Sequence, residues 1–175
     1  FTSISNFQIN NMTSEFVLEA INREFPEAVI SSSEPYGFLT VEVKKEELKK
    51  VIHHLKESSL NFMFLTDICG IHYPDHKEKE LGVIYHLHNL QENFRIRIKS
   101  FFPKDNAEVD SITDLYSGAN WMERETYDFY GITFKGHPDL RVILNMEELG
   151  YHPLLKEYAL EDGTRTDKDD SMFGR

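Results

Sequence analysis

At 175 residues, with 40% hydrophobic and 13% aromatic positions, the chain is long enough for one buried core and too apolar for wholesale disorder. Nineteen Lys and Arg against thirty Asp and Glu leave a net charge of -11, which argues against nucleic acid phosphate or anionic lipid as partners. The single cysteine, Cys69, excludes an internal disulfide and any four-thiolate iron–sulfur cluster or Cys-rich zinc site built by this chain alone, and points to a reducing compartment.

From Thr13 to Phe25 the apolar residues Phe16, Val17, Ala20, Ile21 and Phe25 recur at helical spacing and Pro26 follows as a stop, which predicts an amphipathic helix. Residues 28–32 and 37–43 are β-compatible runs around Ser33-Glu34-Pro35-Tyr36, a turn composition, and predict a hairpin. Between Lys45 and Lys56, Leu48, Val51, Ile52 and Leu55 share one face of a second helix. Three more strands are predicted at 61–73, 81–90 and 94–102. The last alternates Phe94, Ile96 and Ile98 with Arg95, Arg97 and Lys99, so one face enters the core and the other is cationic. This order predicts an α+β fold, a two-layer domain with helices packed on one face of a mixed β-sheet.

After Pro103 the character changes. Ser111-Ile-Thr-Asp114 has a capping-box pattern, and Asn120 with Glu123 three residues on resembles a second, so two short helices are expected, the second running to Tyr130 and stopping at Gly131. Beyond Asn145 the chain turns acidic. Leu149, Tyr151, Leu154, Leu155, Tyr158 and Leu160 punctuate it without a sustained period, so residues 1–145 are expected to form the domain and 146–175 an extended acidic tail that orders on a partner. No apolar run approaches the roughly 20 residues of a membrane span, and solubility of the chain by itself is expected. Because the sequence opens at Phe1 rather than Met, a trimmed start or preceding residues are expected.

Sites for independent chemistry are few. His86 and His88 lie two apart in a strand, a spacing that two metal ligands can use, and His72 and His76 flank a nearby loop, but no His-Glu-x-x-His or comparable pattern accompanies them. Cys69-Gly70 sits in an apolar run, where a thiol is usually packing. The nine glycines form neither a Gly-x-Gly-x-x-Gly fingerprint nor a Walker loop, which argues against nucleotide binding.

The dense constellation is Trp121-Met-Glu123-Arg124-Glu125-Thr-Tyr127-Asp128-Phe-Tyr130-Gly131, followed by Gly136-His137-Pro138. On a helix Arg124 reaches Asp128 at i to i+4, with Glu125 close by, which predicts a charge network that fixes the helix to the following loop or to another protein. A free-standing acid/base enzyme using Glu123, Glu125 and Asp128, with His137 as an assistant, is the alternative of a different class, and it requires those carboxylates to line one closed pocket.

The run from Glu123 to Ile132, with Gly136-His137-Pro138-Asp139-Leu140-Arg141 and Ile143-Leu144, resembles the signature of the C-subunit (30 kDa) family of NADH-quinone oxidoreductase, respiratory complex I. Leu65-Thr66-Asp67, Tyr73-Pro74 and His152-Pro153-Leu154 with Lys156 extend the likeness over residues 60–160. The resemblance implies a two-layer α+β subunit of the peripheral arm, without catalytic residues of its own, packed beside the D subunit near the quinone-reducing module. Glu123, Arg124, Glu125, Asp128, Gly131, His137, Pro138, Arg141, His152 and Lys156 would then serve as partner-interface or structural motif. It further implies that this chain holds no cofactor, that NADH, flavin, iron–sulfur clusters and quinone belong to partner subunits, and that the chain sits peripherally on the cytoplasmic side of a bacterial cell membrane. Relatives in F420-linked dehydrogenases and membrane-bound hydrogenases are the alternative within the same family.

Overall fold

The Thr13 hydroxyl accepts the Phe16 amide at 3.2 Å and so starts the first helix of the computed structural model, which describes residues 12–159. This helix, α1 (Ser14–Glu24), buries Val17, Ala20 and Ile21. The expected hairpin follows as β1 (Val29–Ser33) and β2 (Leu39–Val43), antiparallel around a short turn at Pro35–Gly37. Helix α2 (Leu48–Glu57) buries Leu48, Val51, Ile52 and Leu55, the stripe that the sequence marks as apolar.

Strands β3 (Phe64–His72), β4 (Leu81–Asn89) and β5 (Phe94–Phe102) complete a five-stranded sheet in the order β1-β2-β5-β4-β3. β2 and β5 run parallel, because α2 and two strands separate them in the chain, and the other pairs are antiparallel. Alternation along the strands turns Val41, Val83, Tyr85, Leu87, Ile96 and Ile98 into one core with the helix stripes, all of them fully buried. The opposite face carries Arg95, Arg97 and Lys99. The mixed sheet with its helices matches the α+β expectation.

The region after β5 departs from expectation. A strand β6 (Glu108–Asp110) pairs in parallel with β7 (Thr133–Lys135), an element that neither periodicity nor composition announces. The helix expected after Ser111 is a single turn. There the Ser111 hydroxyl accepts the Thr113 amide at 3.2 Å, and the Ile112 carbonyl takes the Leu115 and Tyr116 amides. Helix α3 (Ala119–Tyr130) starts before Asn120 and has Gly118 at its N-cap. The second capping box therefore does not form, because the Glu123 carboxylate is drawn away from its own helix start to the Ile112 amide, 2.8 Å off.

Gly131 does end α3, with φ 74 and its amide on the Tyr127 carbonyl. A Cβ there would lie 2.6 Å from Cδ2 of His152, so this glycine serves both the left-handed turn and the close approach of the ring. Gly131→Ala is expected to cost roughly 2 kcal/mol, the left-handed penalty plus displacement of His152. Urea unfolding of the isolated chain measures it, and an unchanged midpoint would mean that this turn is unstrained.

Residues 146–159 contain a short helical turn, Glu147–Leu149, and two further turns closed by the Leu155 amide on the His152 carbonyl and the Tyr158 amide on the Leu155 carbonyl. They are not free of the domain. The Leu154 amide donates to the Phe129 carbonyl at 3.1 Å, the Lys156 amide to Nδ1 of His72 at 2.9 Å, and Leu155 is only 4% exposed within the core. The absence of a common apolar face hides this anchoring, because Leu155 alone enters. Residues 160–175, including the acidic end of the expected tail, lie outside the described residues.

Candidate functional site

Helix α3 is polar in sequence yet buried on two flanks. One flank presents Ala119, Glu123 and Thr126 to the interior, and the other presents Arg124 and Asp128 to the loop that follows β7. A helix covered on both flanks has no need of a single apolar stripe, and this one buries Glu123, Arg124, Thr126 and Asp128 while Trp121 stays exposed.

Asp128 organises that loop. Its Oδ2 accepts the amides of Ile143, Leu144 and Asn145 at 3.0, 2.8 and 3.1 Å, and its Oδ1 accepts the Asn145 side-chain amide at 2.9 Å. Burial alone would raise this carboxyl, but the four donors outweigh burial and hold it below the usual carboxylate value. With both oxygens occupied, Asp128 does not pair with Arg124, so the expected i to i+4 bridge is absent among the described residues. The helix and loop are held instead by side chain to backbone bonds.

Arg124 lies against the indole of Trp121, 4.8 Å from the ring centroid, and its Nε donates to the Arg141 carbonyl at 3.2 Å. The Arg141 side chain points away to Asp139, 3.0 Å from Nε to Oδ2. His137 joins the same loop to the start of α3: its Nε2 donates to the Asn120 carbonyl at 3.0 Å while Nδ1 accepts the Asp139 amide at 3.0 Å. Pro138 beside it is exposed. His152 donates from Nδ1 to the Asp128 carbonyl at 2.9 Å, and its ring stands edge-on to Tyr127. Lys156 has an exposed side chain and acts through its amide on His72, whose Nε2 lies 3.1 Å from Glu80.

The motif's carboxylates diverge. Glu123 is fully buried toward Ile112, Glu125 is exposed, and Asp128 faces the loop beside a 270 Å³ cavity lined by Tyr127, Asn145, Met146 and His152. Two or more acid/base groups around one substrate need a shared space, and these three have none. His86 and His88 separate as well: Nε2 of His86 accepts from Arg97 at 2.8 Å and Nε2 of His88 lies 3.1 Å from Asn93. Among the described residues no group of three or more His, Cys, Asp or Glu side chains gathers as a metal site.

One polar cluster went unread in the sequence. Asp67, His86 and Arg97 stand in register on β3, β4 and β5, with the Arg97 guanidinium 4.9 Å from the Phe38 ring centroid on the open sheet face. Desolvation, reinforced by Arg97, lowers the His86 pKa, and Asp67 at 3.8 Å opposes the shift. The alternation of β5 marks Arg97 as outward-facing, but its partners depend on register.

The five-stranded mixed sheet with its helices recurs in two solved structures. A trypsin-resistant fragment (1-134) of Nqo5 aligns with a TM-score of 0.64 at 33% identity, over 74% of this chain and 100% of that one. The archaeal membrane-bound sulfane sulfur reductase, a respiratory membrane complex, contains a chain that aligns with a TM-score of 0.70 at 26% identity, over 83% of this chain and 85% of that one. Residues 41–164 match the family described as respiratory-chain NADH dehydrogenase, 30 Kd subunit, and the chain belongs to that family. The C subunit of NADH-quinone oxidoreductase from Geobacter metallireducens is 36% identical over 141 residues, covering 81% of this chain and 86% of the relative. The corresponding C subunits of Azorhizobium caulinodans and Citrifermentans bemidjiense are 38% and 37% identical, over 84% and 83% of this chain and 69% and 89% of theirs. The family is thus that of a subunit of an oxidoreductase complex. No helix among the described residues is long and apolar enough to cross a membrane.

Proposed function

We propose that this chain is a non-catalytic peripheral-arm subunit of a proton-pumping NADH-quinone oxidoreductase, packing beside the D subunit near the quinone-reducing module and supporting its assembly. On this reading the chain sits on the cytoplasmic side of a bacterial membrane and reaches that membrane only through its neighbours. NADH, flavin, iron–sulfur clusters and quinone belong to those neighbours. One cysteine in the whole sequence supports that division of labour.

The observation that carries a structural role is the divergence of Glu123, Glu125 and Asp128, with Asp128 committed to four hydrogen bonds inside this chain. Groups so engaged hold a loop in place and leave no shared space for a substrate. Glu123, Arg124, Asp128, Gly131, His137, Arg141 and His152 then form a scaffold whose outer surface meets the partner. A related position in another respiratory membrane complex is the second reading, favoured by the likeness to the archaeal sulfane sulfur reductase chain.

Affinity purification of the tagged native protein from detergent-solubilised membranes is expected to bring the D subunit and an NADH-oxidising module with it, while the isolated chain oxidises no NADH. Recovery with subunits of a different electron-input module would favour the second reading. Recovery as a lone protein would overturn both.

A further inference from the structure

Arg124 is only 7% exposed, and no carboxylate among the described residues pairs with it. Its own helix does not supply one, since Asp128 is filled by loop amides, Glu123 faces the opposite flank and Glu125 is exposed. Of the five guanidinium donors, Nε is on the Arg141 carbonyl, which leaves the two terminal nitrogens without a described partner. The residue is nearly buried, yet neither terminal nitrogen is a fully buried orphan, so the guanidinium fork opens to the surface, where an anion can complete it.

We propose that Arg124 receives a carboxylate side chain, Asp or Glu, from the neighbouring subunit, in a bidentate contact over the Trp121 ring. This rests on the reading of the chain as a member of a multisubunit complex and names the chemistry of its docking point. The guanidinium fork matches a carboxylate, and the indole beneath it fixes the plane in which the partner must arrive. On the same helix and on the loop laid along it, Trp121, Leu144 and Met146 are 63, 65 and 70% exposed. A nearly buried Arg beside a Trp, with exposed apolar side chains on the same helix and loop, is the composition of an interface hot spot. The partner segment is accordingly apolar with one acid. A phosphate group or anionic membrane fits poorly, because Glu125 is exposed on the same helix of a chain of net charge -11, which repels a multiply charged surface.

The test uses the complex purified from membranes with wild-type or variant chain. If wild-type chain does not co-purify with other subunits, the underlying reading fails before Arg124 is questioned. Given co-purification, Arg124→Met is expected to weaken retention of the chain in the complex by about thirtyfold or more, and Arg124→Lys by less. Thermal unfolding of each isolated variant identifies any that lose the fold. A photo-crosslinking residue at Leu144 supplies a readout without altering Arg124, and its expected product is a partner peptide containing Asp or Glu. Replacing that acid by Lys should reproduce the loss, and pairing it with Arg124→Glu should restore retention. Retention of folded Arg124→Met at the wild-type level, or crosslinks only to lipid, to this chain itself or to a peptide without an acid, would overturn the proposal.

Discussion

Replacing Asp128 by Asn is expected to destabilise the isolated chain by about 3 kcal/mol, although the change is nearly isosteric. The carboxylate accepts four hydrogen bonds, three of them from consecutive backbone amides of Ile143, Leu144 and Asn145. An asparagine keeps one acceptor oxygen and turns an NH₂ group toward donors, so at least one amide loses its partner. Hydrogen bonds to a charged acceptor contribute roughly 1.5–3 kcal/mol each, and they do not add in full when they share one group. The pH dependence has a definite sign. Because the folded carboxyl lies below the ordinary value, its contribution is present above the unfolded Asp pKa and is lost as pH falls through the folded one. Urea unfolding at neutral and acidic pH measures both effects. A loss under about 1 kcal/mol at neutral pH would mean that the 141–145 loop holds its path without Asp128, and the lock assigned to it would be wrong.

The elements that the sequence displays are those built on one apolar face. α1, α2 and strands β2, β4 and β5 repeat their core positions with the period of their own geometry, so pattern locates them, whereas β1 buries none of its residues and is marked by the turn that follows it. β6 and β7 are three residues each, too short for a period, and their pairing depends on α3 carrying the chain back alongside β6. The two capping patterns fail differently: the Ser111 hydroxyl does accept the Thr113 amide two residues on, but only a single turn follows it, whereas Glu123 bonds across to the Ile112 amide instead of to its own helix start. At the site, the motif from Glu123 to Arg141 is visible as a string. Its geometry is not, because Asp128 and Arg124 are joined to backbone groups at 141–145, and no side-chain pattern records a bond to an amide or carbonyl. Gly131 is the exception that can be read from both sides, a helix stop in sequence and a seat for His152 in space.

Glu123 leads to an effect of similar size and opposite pH dependence. Its Oε1 accepts the Ile112 amide at 2.8 Å, while Oε2 is buried without a described hydrogen-bond partner, as is the Tyr85 hydroxyl of the same core. Burial pushes the carboxyl up to about 7, against the lowering from the Ile112 amide, Ser111 and Lys49. Between the unfolded value near 4.5 and the folded value near 7 the folded state therefore holds a proton that the unfolded state has released. Stability is fully present below the lower value and falls as pH rises through the upper one, by about 3 kcal/mol in all. Glu123→Gln keeps an oxygen for Ile112 and cannot ionise. It is expected to match the wild type near pH 4 and to exceed its stability by about 3 kcal/mol at about pH 8. Paired urea unfolding curves at the two pH values decide it. A wild-type to variant difference that stays constant across that range would mean that Glu123 titrates at its ordinary value, and its side chain would then have to reach solvent or a cation in solution.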